Sequence, residues 1–526
     1  MFKFFYAIVQ GQMNIYEEIS EKISSGEISN GEQLQKLKVQ LSRKYGMDRV
    51  PSNSEILNSG YLDEKAKDIL RLKPTRTISG VAVVAAMTSP EVCPHGRCIF
   101  CPGGLENNSP QAYTGYEPSA LRGRMNNYDP FSITFNRLKQ LETIGHDTSK
   151  VDLIIMGGTF TARSREYQEN FVKGCLDGMN GTVASSLEES IRINETSRRR
   201  CIGLTVETKP DWFFEKEIEE SLKYGTTKVE LGVQIIDDDV LNKNHRGHGV
   251  REIEMSTLLS KNAGLKIVYH VMPGMYGSDF KKDLESFKVM ISDERFKPDM
   301  LKIYPTLVVK GTKLYNMWKS GEYAPMETEE AAELLFNFMK EMPPWIRVQR
   351  MQRDIPVKFI DAGVKRSDLR NMVDLMLKEN GVKSKEIRGR EIGFTSSASS
   401  NLRMKRIDYQ ASGSKEIFLS FEDENENLAS YLRLRKIPED SWKVDTRASG
   451  MVREIKTVGR VVPVGQHDEK LYQHKGIGRA MLLEAERITK EEFGYDRIMV
   501  ISGIGVREYF RKLGYVTQGT YVSKSL

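Results

Sequence analysis

The 526-residue chain holds only five cysteines, and none of its apolar runs approaches the roughly 20 residues that a helical bilayer crossing needs. So few thiols exclude a fold stapled by a disulfide framework. The opening Met1-Phe-Lys-Phe-Phe-Tyr-Ala-Ile-Val9 is apolar but too short for a span, and it lacks a small-residue cleavage site before Gln10. A start at Met13 reads equally well, so these first residues are assigned no function. Neither sign of charge dominates. The 78 Lys and Arg against 72 Asp and Glu leave a net +6, so where the positive charges lie says more than their sum. No internal repeat is apparent, which argues against a solenoid. With 39% hydrophobic and 29% charged residues, the chain can build two or three domains with sizeable cores.

Three of the five cysteines fall within nine residues, Cys93-Pro-His-Gly-Arg-Cys98-Ile-Phe-Cys101, a C-x4-C-x2-C spacing with no evident fourth thiol. A four-iron cluster normally takes one cysteine per iron, so three ligands leave one iron open to a small molecule. Pro102-Gly103-Gly104 follow and let the backbone turn tightly around a bulky inorganic body. One alternative is a zinc knuckle, which would want a fourth Cys or His; His95 lies inside the loop, poorly placed to join both Cys98 and Cys101. The other is three ordinary buried thiols, against which the clustering argues. Low cysteine usage with reactive thiols points to a reducing cytoplasm.

Residues 1–75 read as helical and basic, with Lys36, Lys38, Arg43, Lys44 and Arg49 followed by Lys65, Lys67, Arg71 and Lys73; a solvated helix face is the plain alternative. Over 76–360, short apolar runs alternate with helical stretches: Val81–Met87, Val151–Met156, Cys201–Val206, Lys228–Val233, Leu265–Val271, Leu301–Tyr304 and Ile346–Val348. Such alternation predicts a parallel sheet or a partial (β/α) barrel, with the cysteine loop leaving the C-terminal end of the first strand, where such folds place their active sites. Residues 361–395 read as a basic helical connector without a strong apolar period. A second α/β module fills 396–526, with runs at Glu416–Ser420, Leu428–Leu434 and Met451–Val464, a helix from Gly476 to Phe493, a strand at Arg497–Ser502 and a short helix near Val506–Leu513.

Within that module, Gln473-His474-Lys475-Gly476-Ile477-Gly478-Arg479 opens the long helix. Free backbone N–H groups and the dipole at such a helix start can hold a pyrophosphate. A glycine turn before a helix is common, but here Glu454-Ile455-Lys456-Thr457 precede it and Tyr509-Phe510-Arg-Lys-Leu-Gly-Tyr515 follow it. This order resembles the GNAT acyltransferase superfamily, whose splayed strands bind the pantetheine arm of acyl-CoA. In that setting Tyr509 is placed to hydrogen-bond the thioester or the leaving thiol, although a core tyrosine is the simpler reading; Phe510 and Tyr515 read mainly as packing.

A three-cysteine barrel followed by a GNAT-like module resembles the Elongator catalytic subunit family in its stand-alone archaeal form. The resemblance runs through Lys73-Pro-Thr-Arg76, Met87-Thr-Ser-Pro90, Cys93 to Gly104, Tyr113-Thr-Gly-Tyr-Glu-Pro118, Met156-Gly-Gly-Thr-Phe160, Glu207-Thr-Lys-Pro-Asp211, Asn244-His-Arg-Gly-His248, and Arg350 with Arg353-Asp-Ile-Pro356. It implies a radical S-adenosylmethionine (SAM) enzyme with a 4Fe-4S cluster on Cys93, Cys98 and Cys101, and with Gly157, Gly158 and Thr159 beside the methionine part of SAM. It also implies the reaction. A 5′-deoxyadenosyl radical activates the methyl of acetyl-CoA, the carbon radical adds to carbon 5 of the wobble uridine of tRNA, and thioester hydrolysis leaves 5-carboxymethyluridine.

By the same resemblance, acetyl-CoA contacts fall on Lys150, Glu454, Ile455, Lys456, Thr457, Gly476, Ile477, Gly478, Arg479, Tyr509 and Phe510, with Lys150 and Tyr509 catalytic. Lys150 precedes the strand that ends in the glycine segment, which leads to the expectation that it lies near the radical site; a surface lysine is the plain alternative. Two departures stand out. Tyr509-Phe510 replaces a pair of tyrosines, and Lys383–Arg390 lacks the cysteines that hold a structural zinc in many relatives, so no zinc is expected.

For tRNA, the basic N-terminal segment, Arg122, Arg124, Arg246, Arg347, Arg350, Arg353 and the connector are candidates for a phosphate-binding track, with Tyr113, Tyr116 and Tyr128 as stacking candidates. An electron donor is required, no membrane is implied, and pairing as a homodimer stays open. The rival readings are a protein lysine acetyltransferase whose iron–sulfur domain is regulatory, and an RNA-binding scaffold that keeps its cluster for stability alone.

Overall fold

The computed structural model describes residues 13–62, 67, 69–72, 77, 79–352, 354–394, 401–458 and 476–526. Residues 1–12, Lys65, the Lys73–Arg76 string, Arg353, Gln473–Lys475 and the proposed strand end near Val464 lie outside the described residues. No helix among the described residues is long and apolar enough to cross a membrane.

The N-terminal segment is helical because its apolar residues recur every three or four positions and its helices start on good caps. Asn14 and Ser52 each form a capping box, with Glu17 and Glu55, and Asn30 caps the helix Gly31–Lys44. Ile15, Ile19, Ile23, Leu34, Leu37 and Leu41 then bury one shared face. Several of its basic residues are already engaged. Lys44 pairs with Glu18 at 2.7 Å, Lys36 with Glu32 at 2.8 Å, and Arg49 with Glu55. Lys38 is buried and donates to Asn53 Oδ1 at 2.9 Å, while Arg71 Nε donates to the Gly145 carbonyl at 2.8 Å.

The seven apolar runs of the first module become seven strands: β1 (Ala82–Met87), β2 (Lys150–Met156), β3 (Arg200–Thr208), β4 (Lys228–Gln234), β5 (Lys266–Val271), β6 (Met300–Ile303) and β7 (Arg347–Arg350). They form one all-parallel sheet in sequence order, with helices in the crossovers. β1 and β7 are its two edges and do not pair, so the barrel has an open seam. The helix Leu369–Glu379 differs from the sequence reading: Leu369, Val373 and Leu377, four apart, join the barrel's own core. Met372, Leu375 and Met376 fall between these positions and blur that period in the sequence. Further along the connector, buried Glu386 accepts from Val348 N at 3.0 Å and from Arg370 Nη2 at 2.7 Å, and Arg390 pairs with Glu422 at 2.8 Å.

The C-terminal sheet contains β8 (Arg403–Ala411), β9 (Ser414–Glu422), β10 (Leu428–Ile437), β11 (Ser449–Thr457), β12 (Arg497–Val500), β13 (Val516–Gln518) and β14 (Tyr521–Ser525). Its order is β13-β14-β12-β11-β10-β9-β8, and only β11 and β12 run parallel. That pair is joined only over Gly450–Val452 and Ile498–Val500, after which β11 runs on to Thr457 without a β12 partner. The two strands therefore diverge where Glu454–Thr457 lie.

The modules are joined by a layer of charge shut away from water. Arg433, Arg435 and Arg453, from β10 and β11, are fully buried. Arg453 donates to Asp299 Oδ1 at 3.0 Å, to Glu416 Oε2 at 2.8 Å and to the Leu265 carbonyl at 2.7 Å. Arg435 donates to Asn262 Oδ1 at 2.7 Å, and Lys261 pairs with Glu416 at 3.2 Å. Apolar side chains of the C-terminal module, among them Met451, Met499, Ile504 and Tyr521, join the barrel's core, and at one point backbone meets backbone: a Cβ on Gly503 would lie 2.0 Å from the Ile202 carbonyl oxygen of β3.

Burial alone would raise the Asp299 and Glu416 carboxyls, but Arg453 and then Lys261 outweigh it, holding Glu416 down to about 2 and Asp299 well below the carboxylate range. A carboxyl whose folded pKa is depressed stabilises the fold above its unfolded value of roughly 4, and that stability is lost as pH falls further. Replacing Arg453 with Met removes the largest cationic partner of both carboxylates, leaving Glu416 to Lys261 and Arg435 and Asp299 to Arg433, and is expected to cost about 3 kcal/mol at pH 7. With its main counter-charge gone, the buried pair takes up protons more readily at pH 4.5, and the penalty shrinks. Denaturant unfolding of both proteins at the two pH values checks this; an equal gap at both would contradict it.

Candidate active site at the C-terminal mouth of the barrel

The loop after β1 carries the three cysteines to the C-terminal ends of the strands, where they face one cavity of ≈ 1060 Å³, counting the solvent at its mouth. Cys93, Cys98 and Cys101 share it with Gly158, Thr159 and Glu207. Each sulfur has polar company. Ala112 N donates to Cys101 Sγ at 3.1 Å, Arg246 Nη1 to Cys98 Sγ at 3.2 Å, and Thr159 Oγ1 lies 3.8 Å from Cys93 Sγ. His95 Nε2 comes within 3.2 Å of Cys98 Sγ, as a hydrogen-bond partner.

As free thiols Cys93 and Cys101 are held protonated: burial pushes Cys93 up to about 11 and raises Cys101 as well. Donors aimed at sulfur suit thiolates carrying charge into a bound metal centre. Among the described residues no three Cys, His, Asp or Glu side chains are placed to hold a single ion. A cluster that takes one cysteine per iron does not need such convergence, so the donor set fits a polynuclear centre better than zinc.

The glycine segment after β2 is fixed from below. Gly157 has φ +142°, and a Cβ there would lie 1.9 Å from Thr88 Oγ1, so glycine is required. Its N–H donates to Glu207 Oε2 at 3.1 Å, and the same oxygen accepts from Tyr113 OH at 2.6 Å. Glu207, at the end of β3, thereby ties two loops of the mouth together. Below it the lumen is polar. His270 Nδ1 lies 3.7 Å from Glu207, His270 Nε2 is 2.8 Å from Glu230 Oε2, and Lys302 donates to the same Glu230 oxygen at 2.5 Å. Despite its burial, Glu230 is driven well below the carboxylate range by Lys302 and His270. These residues belong to β3, β4, β5 and β6, and each interrupts an apolar run at an inward position.

Several expectations change. Lys150 opens β2 while Gly157 follows its other end, and the seven residues of that strand span about 20 Å. Lys150 therefore lies at the end of the barrel away from the cysteines. Its register partner is Arg200, and a Cβ on Gly505 would lie 2.3 Å from Arg200 Cβ, which puts Lys150 beside the C-terminal module. Arg246 is buried against Cys98, and Arg347 is paired with Glu391 at 2.5 Å, so neither presents itself to an outside phosphate. Arg350 pairs with Asp354 at the cavity. Tyr113 is buried on Glu207, and Tyr128 donates to the Asn108 carbonyl at 2.5 Å; Tyr116 stays exposed.

In the C-terminal module the structure brings Ile455, Gly478 and Tyr509 together: a Cβ on Gly478 would lie 3.5 Å from Tyr509 OH and 3.8 Å from Ile455 Cδ1. Gly476, at φ +75°, and Ile477 begin the helix Ile477–Arg487, and Arg479 is exposed on its first turn. Burial raises the Tyr509 hydroxyl above its usual value. The Glu454 side chain turns inward to Arg433 Nε at 2.9 Å and Tyr431 OH at 3.1 Å, leaving its backbone at the divergence of the strands. Lys456 lies beside it, lowered to about 8 by burial and then by Arg347, and Thr457 Oγ1 is 3.2 Å from Ser430 Oγ. Phe510 sits in the core against Tyr515, too enclosed to reach a ligand.

A parallel partial barrel whose first loop presents three cysteines at its mouth defines a radical SAM protein, and the model of the Radical SAM superfamily matches residues 87–287. The Radical_SAM C-terminal domain matches 298–379, and the ELP3 N-terminal domain matches 12–78. The chain is 48% identical to the tRNA uridine(34) acetyltransferase of Methanocaldococcus jannaschii, over 97% of each chain. It is 40% identical to Elongator complex protein 3 of Drosophila melanogaster, over 97% of this chain and 96% of that one. The solved archaeal Methanocaldococcus infernus Elp3 with an N-terminal deletion superposes with a TM-score of 0.75 at 44% identity, covering 86% of this chain and all of that one. The chain belongs to the Elongator complex protein 3 family.

Glu207→Ala removes a charged acceptor from the Gly157 amide, an interaction of about 1.5–3 kcal/mol. Hydrogen exchange at Gly157 is expected to quicken roughly tenfold or more while exchange in β4 and β5 is unchanged. Equal rates in both proteins would show that Glu207 does not hold the segment.

Proposed function

We propose that the protein modifies the wobble uridine of tRNA, taking a two-carbon unit from acetyl-CoA and a radical from SAM, and leaving 5-carboxymethyluridine. The observation that carries this reading is the union, in one interlocked body, of a three-cysteine mouth and a diverging strand pair with a glycine helix start. Its support from relatives is the name of the archaeal homologue, a tRNA uridine(34) acetyltransferase. Neither module alone calls for the other.

Cys93, Cys98 and Cys101 would hold the cluster and Gly157–Thr159 the SAM methionine; once bound, the pair supplies a 5′-deoxyadenosyl radical able to take hydrogen from an unactivated methyl. The chain's own residues do the rest. Glu207 keeps the Gly157 backbone where a ligand can lie against it. Free N–H groups at Gly476–Gly478 suit the pyrophosphate of acetyl-CoA, and the open edge of Ile455–Thr457 suits its pantetheine amides. Tyr509, kept protonated by burial, is a hydroxyl donor for the thioester or the departing thiol. Lys150 and Lys456 bring positive charge to the same end of the barrel, and the polar lumen separates that end from the cysteines. The reducing cytoplasm and an electron donor complete the setting.

A second reading, protein lysine acetylation with a regulatory cluster, is favoured by a C-terminal module that has the elements to bind acyl-CoA by itself. Anaerobically reconstituted protein given tRNA, SAM, reductant and labelled acetyl-CoA is expected to place label in 5-carboxymethyluridine, and Cys93→Ala, Cys98→Ala and Cys101→Ala together should abolish that product. Label appearing only as free acetate would overturn the proposal. Amine acetylation surviving the triple substitution would favour the second reading.

A further inference from the structure

The seam between β1 and β7 is bridged at the mouth by two aromatic rings. Tyr116, from the loop after β1, stacks on Phe359, from the short helix Val357–Phe359 after β7, with centroids 3.8 Å apart and planes 13° from parallel. The stacked pair Phe287 and Phe338 lies inside the core. The Tyr116–Phe359 pair does not: Tyr116 remains 44% exposed with one ring face already covered. The backbone beneath it is held firmly. Buried Glu117 accepts from Thr114 N at 2.9 Å and Gly115 N at 3.0 Å, and Tyr116 N donates to Thr114 Oγ1 at 3.2 Å. Glu117 itself lines the cavity, so the ring stands one residue outside it.

We propose that the Tyr116–Phe359 pair is a stacking platform for a nucleobase of the RNA strand, adjacent to the base delivered into the cavity; this rests on the tRNA reading above. The ligand class follows from the surface. A flat, rigid ring backed by a second ring favours a flat partner and is indifferent to base identity. Positive charge lies beside it, from Arg124 on the following helix Pro118–Met125, whose guanidinium fills the space a Cβ on Gly115 would need, and from Lys358, whose ammonium lies 5.0 Å from the Phe359 centroid. Phosphates flanking a stacked base would meet that charge. A base pulled from its neighbours for chemistry leaves an exposed face on the next base, and an aromatic side chain can cover that face.

The test uses the full-length protein and an anticodon stem-loop RNA carrying 2-aminopurine beside the wobble uridine and fluorescein at its 5′ end. Wild type is expected to bind and to quench the 2-aminopurine. Tyr116→Leu keeps an apolar cover on Phe359 without a π face; it should lose the quenching and weaken binding roughly ten- to hundredfold. Tyr116→Trp and Tyr116→Phe should retain both properties, because the ring and not the hydroxyl is required, and Phe359→Leu should lose part of each. Tyr116→Leu that binds and quenches like wild type overturns the platform while the tRNA reading stands. A wild-type protein that does not bind the stem-loop overturns both.

Discussion

The structure depends on one condition: the charges between its two modules have no water and must satisfy one another. Arg433, Arg435 and Arg453 leave the C-terminal sheet and end on Asp299, Asn262, Glu416 and backbone carbonyls. A buried ion pair adds little net stability compared with apolar packing, but it tolerates few geometries. An interface built this way resists sliding, because any displacement strands a charge. The contact of Gly503 with the Ile202 backbone adds a steric limit at another point. The two sheets therefore behave as one body, one face of the C-terminal sheet sharing the barrel's core, and the divergent half of β11 keeps a fixed relation to the barrel.

That relation gives the barrel two ends with different chemistry. At the C-terminal end, thiols and a glycine segment meet around Glu207. At the N-terminal end, Lys150, Lys456 and the Tyr509 neighbourhood meet the second module. Between them the lumen carries Glu207, His270, Glu230 and Lys302 in contact, where a barrel serving only as scaffold would pack branched apolar side chains. Four polar groups on four neighbouring strands are costly to bury unless each has its partner, and here each does.

The seven barrel strands were legible because each is a short apolar run between helical stretches, and the cysteines because their spacing admits few interpretations. β8 was not: Arg403–Ala411 is an edge strand with mostly exposed, charged side chains, and edge strands carry the weakest apolar signal. The helix Leu369–Glu379 hid its period among extra apolar residues, Met372, Leu375 and Met376. Lys150 was placed at the wrong end because adjacency in sequence to a strand fixes which strand a residue belongs to, whereas only the strand's length shows how far it lies from the other end. The Glu207–His270–Glu230–Lys302 contacts could not be read either, since they join residues 40 to 72 positions apart through the pleat of a sheet. A polar residue inside each apolar run was the only trace they left.

The unpaired edges of β1 and β7 bear on a different matter, which is topology. A closed ring of strands is a tube, and a polymer reaches its interior only by threading an end or by sending a side group through the rim. A sheet left open along one side is a trough instead. A looped chain with no free end can lie across a trough, dip one unit into it and leave without being cut or unthreaded. The seam between β1 and β7 thus acts like a slot in the wall, and the size of object such a barrel can serve is set by what can rest on its edges and not by the bore between its strands.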